Sequence, residues 1–377
     1  MPSPTTAGTE GDRSPKGEGG QRKILLLCNV RAGGRWKELA TILDSPEAKH
    51  VRWIVTDSIE DIGPALASMG DDTELLCVYG GDGTIQRVIE QLFADRDTGP
   101  TMAFIGGGTM NVTAGWCGWG RSPGKNFRQV VQAYRAGRLL TKEVPLLAVE
   151  QNGSRRFGFI FGLGPIIRVL NEYENGRKGA LAALEVLFGA LGSAMARLPG
   201  SHFHRMLDPL VATVRRDGEA LPYSQFSILF ANTTGKLHIG VQPFVKKRTR
   251  ETFYMAAYAI TKQEVALLLP MLARGRLPID PKSLIAPIST WKHLGLSLIG
   301  QEVFHADPRY VNDLASVMEI ETAEPFYTVD AEIIPNTSGP IRVSLGPYLR
   351  LVVHPTVDLP ATVRLAAGVA QPPVRGE

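Results

Sequence analysis

The chain has 377 residues, 44% of them hydrophobic and 21% charged, which is globular composition with room for two domains. A formal net charge of +4 is too small for a dedicated nucleic-acid binder, so no nucleic-acid partner is expected. No stretch reaches the roughly 20 uninterrupted apolar residues of a spanning helix, and the N-terminus lacks a signal peptide's apolar core. A cytoplasmic protein is expected, and any membrane contact would be peripheral. Cys28, Cys77 and Cys117 form no CxxC pair, which argues against a disulfide framework or a thiolate metal site.

Residues 1–20 are rich in Pro, Gly, Ser, Thr and charge and read as a disordered tail. From Lys23 short apolar runs alternate with helical segments. KILLLCNV reads as a strand, Trp36–Leu43 as a helix, VRWIVT as a strand and Ile59–Met69 as a helix. ELLCVYG, a helix near Thr84–Phe93, TMAFIG and a helix from Asn111 follow. This rhythm predicts βαβ units on a parallel sheet. After about Val144 the period becomes two in VPLLAVEQ, RRFGFIFG, PLVATVRRDG, FSILFANT, TFYMAAYAI, SVMEIET, FYTVDAEII and IRVSLGPYLRLVVHP. Such strands predict a β-sandwich-like second domain. Arg177–Leu198 and Lys262–Arg274 read as helices, the first as a candidate lid, while 275–310 reads as an extended insertion.

The strongest chemical signal is Gly80-Gly81-Asp82-Gly83-Thr84, between a strand and a helix. Glycines there permit positive φ and a close backbone approach, and the N–H groups opening a helix attract phosphate. An Asp inside a phosphate loop calls for a divalent cation between the two charges, or for an incoming hydroxyl whose proton it takes. Both suit phosphoryl transfer. The plain alternative is a tight turn with an Asp cap. Gly106-Gly107-Gly108-Thr109 follows the next strand, and Asn111 opens the next helix. In a parallel sheet the two loops share the carboxyl edge, where ligands of open α/β sheets bind. A third loop, Asn29 to Arg35, faces the same edge. Neither GxGxxG nor the Walker GxxxxGK[ST] is present.

These motifs resemble the catalytic domain shared by diacylglycerol, sphingosine, ceramide and related bacterial lipid kinases. That family has N-P-x-(S/A)-G, GGDGT and G-T-x-N loops at similar separations. The resemblance extends through NGRKGALAALEVL, ILFANTTGKLHIGVQP and FYTVDAEIIP, over about residues 22–355. It implies an α/β nucleotide-binding domain at 21–147 and a β-rich lipid-binding domain at 148–377, with the active site in the interdomain cleft. It implies ATP and Mg²⁺ as cofactors, a lipid substrate reached peripherally at a membrane surface, and transfer of the γ-phosphoryl group to a lipid hydroxyl. Asn29, Gly33, Thr56, Gly108, Thr109 and Asn111 would line the nucleotide. Gly80, Gly81, Gly83 and Thr84 would approach the phosphates. Asp82 would sit at the metal or the acceptor hydroxyl, and Asp330 and Glu332 match the ends of a late D-G-E motif. The proton acceptor stays open between Asp82 and Asp330.

Several positions depart from the family pattern. Val30 replaces a proline, Gln86-Arg87 replaces Asn-Glu, and Gly162-Leu163-Gly164-Pro165-Ile166 lacks a final Asp. Lys246-Lys247-Arg248-Thr249-Arg250 stands where an Asp-Gly turn is usual, and Ala331 replaces the middle glycine of D-G-E. The basic run is either a site for anionic headgroups or a solvated turn. A soluble-substrate kinase of the NAD kinase type and a catalytically silent nucleotide- or lipid-binding protein remain as alternatives. The acceptor lipid and the oligomeric state, a homodimer included, are left open.

Overall fold

The computed structural model describes residues 23–31, 36–108, 111–120, 122–165, 167–168, 206–235, 244, 246–262, 264, 308–330, 332–357 and 364–365. The readings of a tail at 1–20, of helices at Arg177–Leu198 and Lys262–Arg274, and of an insertion at 275–310 lie outside these residues in whole or in large part. The chain divides into two units, Met1–Val144 with Tyr348–Glu377, and Pro145–Pro347.

In the first unit strands and helices alternate: β1 (Ile24–Asn29), α1 (Trp36–Leu43), β2 (Arg52–Thr56), α2 (Ile62–Ala67), β3 (Leu75–Gly80), α3 (Asp82–Leu92), β4 (Thr101–Gly106), α4 (Val112–Trp116) and α5 (Pro123–Arg135). The strand order β4–β3–β1–β2 is parallel throughout. β1, β3 and β4 are buried at every residue, which is why they read as unbroken apolar runs. α3 turns Ile85, Val88, Ile89 and Leu92 into the core at helical spacing. The sequence reading missed α5, although Pro123 occupies its first turn and Phe127, Val130 and Val131 form a buried stripe.

The second unit runs from within β5 (Leu140–Gln151) through β6 (Ser154–Gly158), β7 (Ile160–Leu163), β8 (Leu210–Arg216), β9 (Glu219–Ala220), β10 (Gln225–Phe226) and β11 (Ile228–Asn232). β12 (Phe253–Tyr258), β13 (Tyr310–Ala315), β14 (Val317–Thr322), β15 (Phe326–Val329), β16 (Glu332–Pro335) and the start of β17 (Ile341–Val352) complete it. One sheet has the order β13–β12–β11–β7–β15–β16, and β5, β6, β8, β14 and β17 belong to the other. Alternate residues of both sheets, among them Leu210, Val214 and Met318 from one and Phe161, Met255 and Val329 from the other, share one buried apolar core. This is two-layer sandwich packing.

Two findings depart from the pattern reading. FYTVDAEII is two strands rather than one, because Asp330 has φ 46 and turns the chain into a β15–β16 hairpin in which Val329 pairs with Glu332. The end of β17 also belongs to the first unit, where Leu351 pairs with Met102 of β4. There Trp119 Nε1 donates to the Val352 carbonyl at 3.2 Å, and His354 N donates to the Cys117 carbonyl at 2.8 Å. The short β18 (Arg364–Leu365) pairs with the beginning of β5.

Candidate functional site

At the carboxyl edge of the parallel sheet the two glycine loops are built against each other. Gly107 N donates to the Gly80 carbonyl at 2.8 Å, one step beyond the last β3–β4 register pair. A Cβ on Gly108 would stand 2.6 Å from the Gly81 Cα, and one on Gly107 would stand 2.9 Å from the Tyr79 ring. No glycine of either loop has positive φ. Their role is therefore steric: Gly108 meets the Gly81 backbone where no side chain fits, and Gly80, Gly106 and Gly107 leave room for the side chains of Thr84, Asn111 and Tyr79. Gly83 differs, since a Cβ there would meet nothing within 4 Å.

α3 opens at Asp82, two residues before the position expected from the pattern, with Gly81 as N-cap and no side-chain cap. An acid in the first turn complements the helix dipole. Asp82 Oδ1 accepts both the N–H and the hydroxyl of Thr113, each at 3.1 Å. The carboxylate of the first loop thereby grips the helix that follows the second. Thr113 was not among the residues singled out from the sequence. Its signal was its place two residues beyond Asn111 in GTMNVT.

The other predicted residues of this edge brace the loops. Asn29, at the end of β1, donates through Nδ2 to Thr84 Oγ1 at 3.1 Å and accepts from Arg31 N at 2.9 Å. Thr56 is buried, and its hydroxyl bonds the Cys28 carbonyl at 3.2 Å. Asn111 takes a left-handed conformation, φ 49, and holds Gly108 at both ends of its amide. Oδ1 accepts from Gly108 N and Nδ2 donates to Gly108 O, each at 2.7 Å. It stands at the N-cap position of α4 without making a capping bond. Asn29, Thr56, Gly80, Gly81, Asp82, Gly83, Thr84, Gly108 and Asn111 thus gather at one edge. Gly33 and Thr109 lie outside the described residues.

No group of three or more His, Cys, Asp and Glu fit to hold a metal occurs among the described residues. A half-buried Asp82 beside helix-opening N–H groups nevertheless fits Mg²⁺. That ion keeps several waters and is usually held by one or two carboxylates with substrate phosphates, not by a protein cage.

The late motif lies in the second unit. Asp330 Oδ1 and Oδ2 each lie 2.9 Å from Phe159 N, and Oδ1 accepts from Ile160 N at 2.8 Å. Glu332 opens β16 and is exposed. On the other side of β7, the fully buried Asn232 pairs in register with Ile160 and accepts from Gly235 N at 2.7 Å. In the basic run Lys246 is ion-paired with Asp313, which also meets Arg216 at 3.0 Å. Burial opposes ionisation of Asp313. The Lys246 hydrogen bond, the Leu314 N–H and the two cations outweigh it and hold the carboxyl below its ordinary range.

A cavity of about 610 Å³ opens in the second unit. Ile167, Pro209, Val211, Phe326 and Ile333 line it, with the Arg168–Glu324 ion pair (2.5 Å) on its wall. Val211 and Phe326 are 63% and 44% exposed, two of the three exposed large hydrophobics of the described residues. Neither sequence pattern nor resemblance pointed to this cavity, because the lining comes from segments far apart in the chain.

Residues 23–138 match the family model of the diacylglycerol kinase catalytic domain. The chain aligns with a crystal structure of a diacylglycerol kinase from Bacillus anthracis str. Sterne at TM-score 0.56 and 17% identity, covering 89% of this chain and 98% of that one. A second structure from the same organism aligns at TM-score 0.59 and 16% identity, covering 89% and 97%. These likenesses show a shared fold. An NAD kinase from Archaeoglobus fulgidus in complex with ATP aligns at TM-score 0.43 and 11% identity over 87% and 93%, too low to carry an argument. No curated protein matches the chain.

Proposed function

From the premise that this chain belongs to the superfamily of diacylglycerol kinases and related lipid kinases, carrying their catalytic domain at residues 23–138, we propose that it transfers the γ-phosphoryl group of ATP to a hydroxyl of a lipid. One observation carries the reading. The two glycine loops are hydrogen-bonded edge to edge at the strand ends, with Gly108 too close to the Gly81 backbone for a side chain and Asp82 tied to Thr113 beyond the second loop.

In this reading the opened first turn of α3 binds the phosphates through backbone N–H groups. Gly83, with open space at its Cα, lets a phosphate approach the backbone. Bound Mg²⁺ would neutralise charge developing on the transferred group, with Asp82 the residue that would hold it. The bracing by Asn29, Thr113 and Asn111 keeps the loops rigid, so that no reorganisation accompanies transfer. The apolar cavity beside exposed Phe326 and Val211 supports an acceptor with a hydrocarbon tail. The acceptor class is diacylglycerol, a sphingoid base, ceramide or another long-chain alcohol, met peripherally at a membrane surface. Among the described residues no helix is long and apolar enough to cross a membrane.

The test is transfer from γ-labelled ATP with Mg²⁺ to a panel of vesicle-borne lipids and soluble acceptors, with Asp82→Ala alongside. Label in one lipid class, lost in the variant, supports the proposal. Transfer only to a nucleotide or sugar acceptor would move the chain to the soluble-substrate kinases. ATP binding without transfer to any acceptor would favour a silent binding protein.

A further inference from the structure

Tyr327 and Val329 of β15 belong to the core shared by the two sheets, so Phe326 and Thr328, alternating with them, lie on the opposite face. Thr328 stands in register with Ile333 of β16 on one side and with Gly162 of β7 on the other. Phe326 and Ile333 line the cavity of about 610 Å³. Thr328 therefore shares its face of the sheet with two residues of the cavity wall. It is 4% exposed, and its hydroxyl finds no hydrogen-bond partner among the described residues. A buried hydroxyl left unpaired destabilises a fold, and such a group calls for a partner that arrives with a ligand. Gly162 beside it lies within a strand and has no left-handed φ, so conformation does not require glycine there. Without a Cβ it leaves a notch next to the hydroxyl, as strand glycines do where a ligand comes close.

The cavity narrows the chemistry of that ligand. Its size and its mostly apolar lining suit a hydrocarbon chain. Glu324 is the one acid among the described lining residues, and Arg168 is already paired with it. A buried ammonium group would find no free carboxylate there, and leaving it unpaired is costly. An uncharged hydrogen-bond acceptor at the root of the chain suits the threonine hydroxyl, and an ester or amide carbonyl is such a group. We propose that Thr328 is a specificity-determining residue that donates a hydrogen bond to the acyl carbonyl of an acceptor lipid whose chain fills the cavity, so that acylated alcohols are preferred to sphingoid bases. This deepens the lipid-kinase reading and rests on it.

The full chain is compared with its Thr328→Val and Thr328→Ser variants. Thermal melts without lipid come first. Valine replaces the unpaired hydroxyl by a methyl of the same shape and should raise the melting temperature by about 2–4 °C. A lowered melting temperature would show that the hydroxyl already has a partner and would overturn the proposal. Kinetics follow, with diacylglycerol, ceramide and a sphingoid base as acceptors in phosphatidylcholine vesicles. Thr328→Val should raise KM for the acylated acceptors about 5- to 50-fold with kcat within about threefold, and Thr328→Ser should restore the wild-type KM. An unchanged KM for the acylated acceptors, or an equal loss with the sphingoid base, would overturn it. Binding of a fluorescent diacylglycerol is read in parallel against a fluorescent long-chain alcohol that has no carbonyl. If the wild type transfers no phosphate, the lipid-kinase reading falls. Loss of diacylglycerol affinity alone in Thr328→Val would then still assign the carbonyl site, and equal binding by variant and wild type would remove it.

Discussion

The Asp82 carboxylate and Thr113 are joined twice, N–H and hydroxyl both donating to one oxygen at 3.1 Å across 31 residues of sequence. The bond fixes one glycine loop against the other and orients the carboxylate that the kinase reading places at the phosphates. Thr113→Val removes the hydroxyl and keeps the N–H. Hydrogen bonds to charged groups contribute roughly 1.5–3 kcal/mol, so kcat/KM for phosphoryl transfer should fall about 10- to 100-fold. Steady-state kinetics check this, and an unchanged kcat/KM would show that the N–H alone orients Asp82.

Gly108 and Gly83 separate packing from ligand approach. Gly108→Ala drives a Cβ to 2.6 Å from backbone and should lower thermal stability, by about 1–3 kcal/mol for an overpacked contact. Gly83→Ala points into open space within α3 and should leave the melting temperature no lower than wild type while weakening ATP binding. Calorimetric titration beside a thermal melt distinguishes them. Wild-type ATP affinity in Gly83→Ala would remove Gly83 from the phosphate site.

All three cysteines are buried. Burial pushes the Cys77 and Cys117 thiols up to about 12, and Cys28 is raised further by burial and by neighbouring Cys77. The thiolate is the reactive form. The native protein at pH 8 should therefore leave an aromatic disulfide reagent unreacted over minutes, and the denatured protein should titrate three thiols. Rapid native labelling would contradict this burial.

Asp313 has a depressed pKa, so its contribution to stability is present above the unfolded carboxyl value, about 3.9, and is lost as pH falls through the folded value. Asp313→Asn should flatten the acid side of a plot of melting temperature against pH below about 4. The pair with Lys246 is partly exposed, so the effect should stay below about 1 kcal/mol. Parallel acid-side curves for variant and wild type would show that the pair contributes nothing.

Charge reversal at Lys247, exposed beside the paired Lys246, tests the membrane role of the basic run. At about 1 kcal/mol per basic residue near an anionic surface, loss of the lysine alone should weaken binding to anionic vesicles roughly fivefold, and the reversed charge should weaken it further, with ATP affinity unchanged. Equal co-sedimentation would assign the run to a solvated turn.

The alternation of strands and helices and the two glycine loops were legible in the sequence because they arise locally. Apolar runs such as ILLLCN must be buried on both faces, and glycines clustered between a strand and a helix mark a place where backbone comes close to something. What came close was decided only by the tertiary structure: in each loop it is the other loop, through Gly81 and Gly108. Periodicity also carried FYTVDAEII through as one strand, since period-two alternation has no term for a single left-handed residue. Asp330 takes that conformation at a turn where its carboxylate is bound by the amides of Ile160 and Phe159, 170 and 171 residues away in sequence. In the same way, nothing local in Val352 or His354 foretold their bonds to Trp119 and Cys117. Composition and pattern settle which segments must be buried. Pairing between distant segments settles which side chains are left to do chemistry.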